Sequence, residues 1–452
     1  MATLRCDRRY LTLAFIAICA NACYTTIAPV LPLEMDRYGI SANYVSLIFL
    51  AFSVGSVSAP PLIAYHLESI GTENIIALGM VGTSVVFLCL SYSFDVNDRY
   101  QAADEEQGGH VLIVGLLTLL QLLNGVFFSS ISTSYYSLAT LVFAGDDSAM
   151  SWIEAGVGIG YIIGPIFSTF LYDVYGFKQA YVLISLGMIT VALFARKFLL
   201  IDLMKMTTNS DGDVNISSDV ESRQNDVELG GYASIETIDS HNEEPTTLSL
   251  IMTPKIFISA TSITCINVSA TFLEPILAKR LDSFDVGKKQ IGLIFSVANI
   301  VYLPVVFLVQ YLPKDRSGRH RIIAMSTFLT IIAVLLVGCN QLSLVVIGIG
   351  LTGLLPTPVW VFLLPFMQEE STITFQGAKS KRRLNDITSG MYNSFMTLGQ
   401  VIGYLIDPIF GGVGFYFTTR FVAILLLLQS FLFYFFGAST RGSRYNKIKC
   451  NI

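Results

Sequence analysis

Twelve apolar runs constrain this chain more than any motif in it. A helix needs about 20 apolar residues to cross a hydrocarbon core of ~30 Å. Runs that meet this fall at 10–33, 43–65, 74–93, 110–142, 150–172, 178–202, 252–278, 290–312, 321–339, 342–367, 386–410 and 414–438. Charged residues make up only 13% of the 452, against ~25% in an ordinary soluble domain. A soluble fold of this length cannot hide that much apolar surface. Composition therefore argues against a soluble enzyme, a nucleic-acid binder or a disordered protein, and for an all-α integral membrane fold. The run 110–142 exceeds one crossing, and its end reads as a cytosolic extension rather than a second span.

The acids cluster where the apolar runs stop. Residues 203–250 include DGDVNISSDVESRQNDVELGG and HNEEPTT, a composition that cannot bury a core and reads as a disordered acidic linker. The expected organisation is a six-helix bundle over 1–202, this linker over 203–250, a second six-helix bundle over 251–438 and a tail over 439–452. Lys and Arg set the orientation. They gather at Arg5, Arg8 and Arg9, around the linker, at Lys314–Arg321, at Lys379–Arg383 and in the tail. With twelve spans these positions share one side, which places both termini and the linker in the cytosol. Lys279, Arg280, Lys288 and Lys289 depart from this bias. The segment Arg8-Arg9-Tyr-LTLAFIAIC with Ala20-Asn21-Ala22 resembles a secretory signal, but its apolar run continues to Leu33 and reads as span 1. The cysteines lie in apolar runs or near the termini, so no structural disulfide is expected.

Two equal sets of six spans are the layout of a carrier built from repeats, with its site between the halves near the bilayer midplane. Small-residue seams fit that layout. In span 5, Gly156, Gly160 and Gly164 fall four apart on one helix face, where they admit a close neighbour. Pro165 follows, removes a backbone donor and is expected to kink the helix. Generic small-residue packing explains the same spacing.

The string GYIIGPIFST resembles the GxxxGPxxGG motif of drug/proton antiporters in the major facilitator superfamily, with Ser168 and Thr169 in place of its last glycines. Asp315-Arg316-Ser317-Gly318-Arg319-His320-Arg321 resembles that superfamily's D-R-x-G-R-x-R loop, whose charge pairs latch helix ends. Its counterpart after span 2, Glu68-Ser-Ile-Gly71-Thr-Glu73, keeps an acid and the glycine without an arginine. A solvated basic cluster is the plain alternative. The strings CYTTIAPVLP in span 1, FLEP in span 7 and SGMYNSFMTLGQVIG in span 11 look like the vesicular amine transporter family, closest to its polyamine branch. The resemblance implies a twelve-helix major facilitator fold in two six-helix bundles, alternating access and exchange of an organic cation for protons.

Span 7 also carries a physical argument of its own. Glu274 sits in an apolar run before Pro275. A carboxylate there must face the bundle interior, find a partner or take up a proton. A site that binds either H⁺ or an ammonium group couples the two fluxes. In the family this acid recognises the amine; structural neutralisation against a neighbour is the alternative. Asn21 matches a family asparagine that contacts substrate, although the acid before it is Ala20 here. Asn393 stands where the monoamine carriers have an aspartate. Both can donate and accept hydrogen bonds, and both suit a packing seam equally. Tyr24 and Tyr392 offer rings to a cation or fill the core. Gln121 replaces the superfamily's coupling arginine and cannot carry fixed charge. Asp407 ends span 11 and reads as interfacial.

The four histidines form no HExxH and no His/Cys cluster. The glycine runs lack the lysine and context of a phosphate loop. No enzyme activity and no cofactor are expected, and an ion gradient is the expected energy source. Expected partners are a small amine, protons and lipid, with no nucleic acid and a monomer as the working unit. The candidate residues are Glu274, Asn21, Asn393, Tyr24, Tyr392 and Gln121 for substrate, with Glu274, Gly160, Gly164, Pro165, Asp315, Arg316 and Arg319 for coupling and gating. Two other readings stay open: a facilitator or symporter of a neutral or anionic solute, and a non-transporting sensor or scaffold. The resemblance suggests an acidic vesicle; a plasma membrane fits the composition as well.

Overall fold

The computed structural model describes residues 8–40, 43–95, 106–142, 148–196, 245–284, 286, 288–375, 378, 380–410 and 414–437. These residues fold into helices that pass back and forth twelve times. Span 1 is Arg8–Arg37, span 2 is Asn43–Ser58 with Pro60–Ile70, span 3 is Thr72–Ser91 and span 4 is Glu106–Val142. Spans 5 and 6 share the stretch Ser148–Phe194, which Gly176 breaks at φ 78°. That left-handed angle suits glycine and marks the turn between the two passes. Span 7 is Pro254–Thr271 with Leu273–Asp282, span 8 is Lys288–Val309 and span 9 is Arg316–Val337. Span 10 is Leu342–Leu354 with Thr357–Thr374, span 11 is Lys381–Phe410 and span 12 is Phe415–Phe436. By length and composition seven of these stretches qualify to cross a membrane, or eight with the bent pair of span 2. Spans 7, 8 and 11 are not among them; the Ser296–Val309 part of span 8 is a shorter apolar helix.

Prolines set the breaks. Span 2 bends by 48° at Ala59, before Pro60 and Pro61. Pro60 has no N–H for the Ser56 carbonyl, and Ser129 of span 4 donates to it instead at 2.9 Å. Pro61 likewise frees the Val57 carbonyl, which accepts from Ser394 of span 11 at 3.0 Å. In a water-free interior such carbonyls need a substitute donor. Span 7 breaks at Phe272, one turn before Pro275, which has no N–H for the Thr271 carbonyl. Span 10 breaks at Leu355-Pro356. Pro165 behaves otherwise. The helix runs through it with helical backbone angles, and Ser168 and Thr169 donate to its carbonyl at 3.1 and 2.7 Å.

Two expectations change. The end of span 4 is no solvated extension: residues 131–139 are buried throughout, packed where the two halves meet. The stretch 245–250 is structured rather than linker, because Thr246 and Ser249 form a reciprocal cap that starts the helix Thr247–Ile251. The rest of the expected acidic linker, apart from its neighbours, lies outside the described residues, as does the tail beyond 437.

The ends of spans at Arg8, Ile70–Thr72, Val142–Ser148, Val309–Arg316 and Thr374–Lys381 share one face, here called the linker face. The halves meet near it. Span 11 packs on spans 2 and 4, and span 5 packs on span 8. Gly390 lies against Pro60 and Ala64. Trp152 stacks edge-on to Phe307 with centroids 5.2 Å apart. Ser380 donates to Glu68 at 2.9 Å. These contacts all lie in the linker-proximal half of their helices, so the seam is sealed on that face.

Candidate functional site

The glycine face of span 5 does what its spacing predicts. A Cβ at Gly156 would lie 2.5 Å from the Ala14 carbonyl oxygen, and one at Gly160 would lie 2.8 Å from the Ile18 carbonyl oxygen. At Gly164 it would run into the Ala22 carbonyl and the Thr25 hydroxyl. Span 1 therefore lies backbone to backbone on span 5. The opposite face carries Gly158, where a Cβ would meet the Tyr302 ring at 2.9 Å. That gap lets a tyrosine of the second half reach span 5.

The Tyr302 side chain ends on Glu154. Its hydroxyl donates to Oε2 at 2.7 Å and lies 3.2 Å from the Glu154 carbonyl oxygen. Tyr136 of span 4 donates to Oε1 at 3.0 Å. Glu154 is 4% exposed, and Tyr136 1%. Tyr392 of span 11 stands edge-on to Tyr136 at 5.3 Å. Trp360 of span 10 stands edge-on to Tyr302 at 5.5 Å and accepts the Tyr392 hydroxyl at its carbonyl, 3.2 Å away. Tyr135 packs edge-on to Tyr136 with ring centroids 4.7 Å apart. A polar unit thus runs from Tyr136 of span 4 to Glu154 of span 5, and across the seam to Tyr302 of span 8. Among the described residues no Lys, Arg or His pairs with this carboxyl.

The sequence-selected residues distribute unevenly around this centre. Tyr392 belongs to it, while Asn21, 2% exposed, donates to the Ala17 carbonyl of its own helix at 2.8 Å. Asn393, 1% exposed, donates across the seam to Ser132 at 2.8 Å and Thr133 at 2.9 Å, while its Oδ1 is buried with no partner. Tyr24 sits in an aromatic cup in the first half, 4.7 Å from Phe52, 5.4 Å from Phe128 and 6.0 Å from Tyr161 between centroids. Tyr24, Phe128 and Tyr161 are half-buried. Gln121 faces its own half, accepting from Asn124 at 3.2 Å. Glu274 lies on the helix Leu273–Asp282, but its side chain falls outside the described residues, as does that of Asp407.

A second carboxyl crosses the seam nearer the linker face. Ser137 donates to Asp386, which is fully buried, and Asn385 donates to the Ser137 carbonyl at 3.2 Å. Below it a cavity of about 720 Å³ opens among Thr140, Arg316, Glu369, Lys381, Arg382 and Asn385. The Asp315 loop latches within the second half. Asp315 caps span 9 by accepting from the Gly318 amide at 3.0 Å. Arg316 pairs with the buried Glu370, Nε to Oε1 at 2.8 Å, and Arg319 pairs with Glu369 at 3.2 Å. Both acids come from span 10, and neither was selected from sequence.

Glu154 was missed although its signal resembles that of Glu274. It is an acid inside an apolar run, at the head of the very string that carries the glycine motif. The tyrosines that define its setting come from residues 18 and 148 positions away, which spacing cannot reveal.

Comparisons with known proteins accord with this architecture. The family model described as Major Facilitator Superfamily matches residues 13–378. The human protein named MFS-type transporter SLC18B1 is 23% identical over 164 residues, covering 36% of this chain and 34% of that protein. The match thus spans about a third of that relative's length, and it is in keeping with the branch suggested by the strings of spans 1, 7 and 11. The crystal structure of the human organic anion transporter MFSD10 (TETRAN) aligns with a TM-score of 0.65 at 14% identity, over 94% of this chain and 99% of that one. A bacterial homologue of the iron transporter ferroportin, in an outward-facing state with soaked iron, aligns with a TM-score of 0.65 at 15% identity, over 94% and 98%. At these identities the two structures speak to the fold alone. The chain belongs to the major facilitator superfamily.

Proposed function

We propose that the chain moves a small organic cation across a membrane by alternating access, in exchange for protons. A polyamine is the first candidate cargo and a monoamine-like compound the second. The observation that carries this reading is Glu154: a carboxyl buried in the seam between the halves, held by hydroxyls from both, with no basic partner among the described residues. A fixed negative group in such a place is costly unless a mobile cation or a proton can reach it. The rings of Tyr24, Phe52, Phe128 and Tyr161 suit the ammonium and hydrocarbon parts of such a cargo. Glu274 is the proposed amine-recognising acid of the second half, with Asn21, Asn393 and Tyr392 as polar and aromatic contacts. Gly160, Gly164 and Pro165 keep span 1 on span 5 as the halves rock, while Asp315, Arg316 and Arg319 brace the linker face. The working unit is the monomer, with the linker face in the cytosol and an acidic vesicle as the first candidate membrane.

Purified protein in proteoliposomes, offered labelled spermidine and serotonin under an imposed pH gradient, tests this reading. Gradient-driven accumulation of either amine supports it. Amine entry that ignores the gradient removes proton exchange. Uptake of an organic anion in place of both amines favours the second reading, an anion carrier, for which the basic side chains of the linker-face cavity are the supporting observation.

A further inference from the structure

Glu154 has two hydroxyl partners, and they sit on opposite sides of the moving seam. Tyr136 is on span 4, in the same half. Tyr302 is on span 8, in the other half. Among the described residues the titratable groups that face this carboxyl and its partners are tyrosines: Tyr135 and Tyr136 of span 4, Tyr302 of span 8, Tyr392 of span 11 and Tyr161 of span 5. Asp386 is a further buried acid of the seam, with Arg382 and Glu68 around it at the linker face.

Opening the linker face requires span 8 to leave span 5, which Gly158 brings into contact with the Tyr302 ring. Tyr302 then withdraws its hydroxyl. An ionised carboxylate that loses one of two donors in a site of low dielectric becomes costly. A proton on the carboxyl removes that penalty, and so does a cargo ammonium beside it. The empty, ionised carrier has neither, so it is held shut.

We infer that Glu154 is the proton-coupling residue of this carrier, and that its bond to Tyr302 keeps the linker face closed until a proton or the cargo cation neutralises it. The inference rests on the transport reading above and adds to it a site in the first half, distinct from the proposed amine acid Glu274. On the proton-loaded leg, Glu154 takes its proton from the compartment it faces and releases it to the other after the halves rock. On the cargo leg it carries no proton.

The test uses the full chain in proteoliposomes with labelled spermidine and serotonin as probes. Two assays are compared: accumulation driven by a pH gradient, and one-for-one exchange of probe without a gradient. Glu154→Gln is expected to lower accumulation more than tenfold while exchange stays within about threefold, since exchange needs no proton transfer. Tyr302→Phe keeps the carboxyl but loses a donor to its ionised form. It is expected to release the latch, so that the empty ionised carrier slips and accumulation falls about fivefold, the weight of one hydrogen bond, while exchange stays within about threefold. Accumulation by Glu154→Gln at the level of the parent overturns the inference. So does loss of exchange together with accumulation in both variants, which places the pair in folding or cargo binding. A parent protein whose amine uptake ignores the gradient instead overturns proton exchange in the broader reading. The latch has its own readout, independent of cargo. Thr140 lines the linker-face cavity, and labelling of Thr140→Cys by an impermeant maleimide is expected to rise as pH falls. Glu154→Gln is expected to remove at least half of that rise; an unchanged rise overturns the latch.

Discussion

Ser394 of span 11 donates a hydrogen bond to the Val57 carbonyl of span 2 at 3.0 Å, the carbonyl that Pro61 leaves without its helical partner. On the proposed alternating-access reading the bond exists only while the linker face is sealed, because its two residues belong to different halves. Its neighbour Ser129 serves the Ser56 carbonyl in the same manner, but from within the same half. On that reading the two serines separate helix integrity from the proposed rocking motion.

Ser394→Ala is expected to disfavour the sealed state by about 1 kcal/mol, the net value of one such bond. That corresponds to roughly a fivefold rise in labelling of a cysteine at Thr140. Ser129→Ala is expected to reduce thermal stability and leave that labelling unchanged. Equal effects of the two variants on labelling would contradict the assignment.

Gly164→Ala tests the span 1 to span 5 contact. The new methyl meets the Thr25 hydroxyl and the Ala22 carbonyl. A hydroxyl can turn away but a backbone carbonyl cannot. A loss of about 1–3 kcal/mol is expected, seen as a lower melting temperature in detergent, and Thr25→Ala is expected not to restore it. Full rescue by Thr25→Ala would show that the backbone approach is looser than described.

Glu370→Gln leaves the Arg316 guanidinium without its buried partner. Breaking one side of a buried pair costs about 3–5 kcal/mol, so a fall of several degrees in melting temperature is expected. The double variant Glu370→Gln with Arg316→Met is expected to be more stable than Glu370→Gln alone. Additive losses in that cycle would show that the pair is not coupled.

Glu274→Gln is expected to abolish uptake and exchange of labelled amine alike, because it removes recognition rather than coupling. This contrasts with the split expected for Glu154→Gln. Exchange at the parental rate in Glu274→Gln would return that acid to a structural role.

Tyr24→Ala is expected to raise the KM for amine about fivefold to thirtyfold, the weight of a desolvated ring–cation contact of ~1–2 kcal/mol. Tyr24→Phe keeps the ring and is expected to stay within about twofold. A matching loss in Tyr24→Phe would assign the effect to the hydroxyl instead.

Much of the fold is legible in the sequence because lipid leaves few choices. Backbone groups must be satisfied within each segment, so the apolar runs announce the helices and their number announces the two halves. The glycines of span 5 and the D-R-x-G-R-x-R loop are legible for a similar reason: each encodes a local geometry, a bare helix face in one case and a capped helix start in the other. The breaks are half legible. Pro60, Pro61 and Pro275 mark where spans 2 and 7 must yield, but the serines that take over the freed carbonyls come from other helices.

What the residues of the chain determine alone is where the helices run and which faces must lie close, because those depend on short-range sterics and on the solvent. What only the tertiary structure decides is the company each buried polar group keeps. Glu154 is one acid in an apolar run, and Tyr136 and Tyr302 are unremarkable letters in two others. Packing two bundles against each other gathers them into one hydrogen-bonded unit, and it does so because a carboxyl withdrawn from water accepts whatever donors the opposing surface brings within reach.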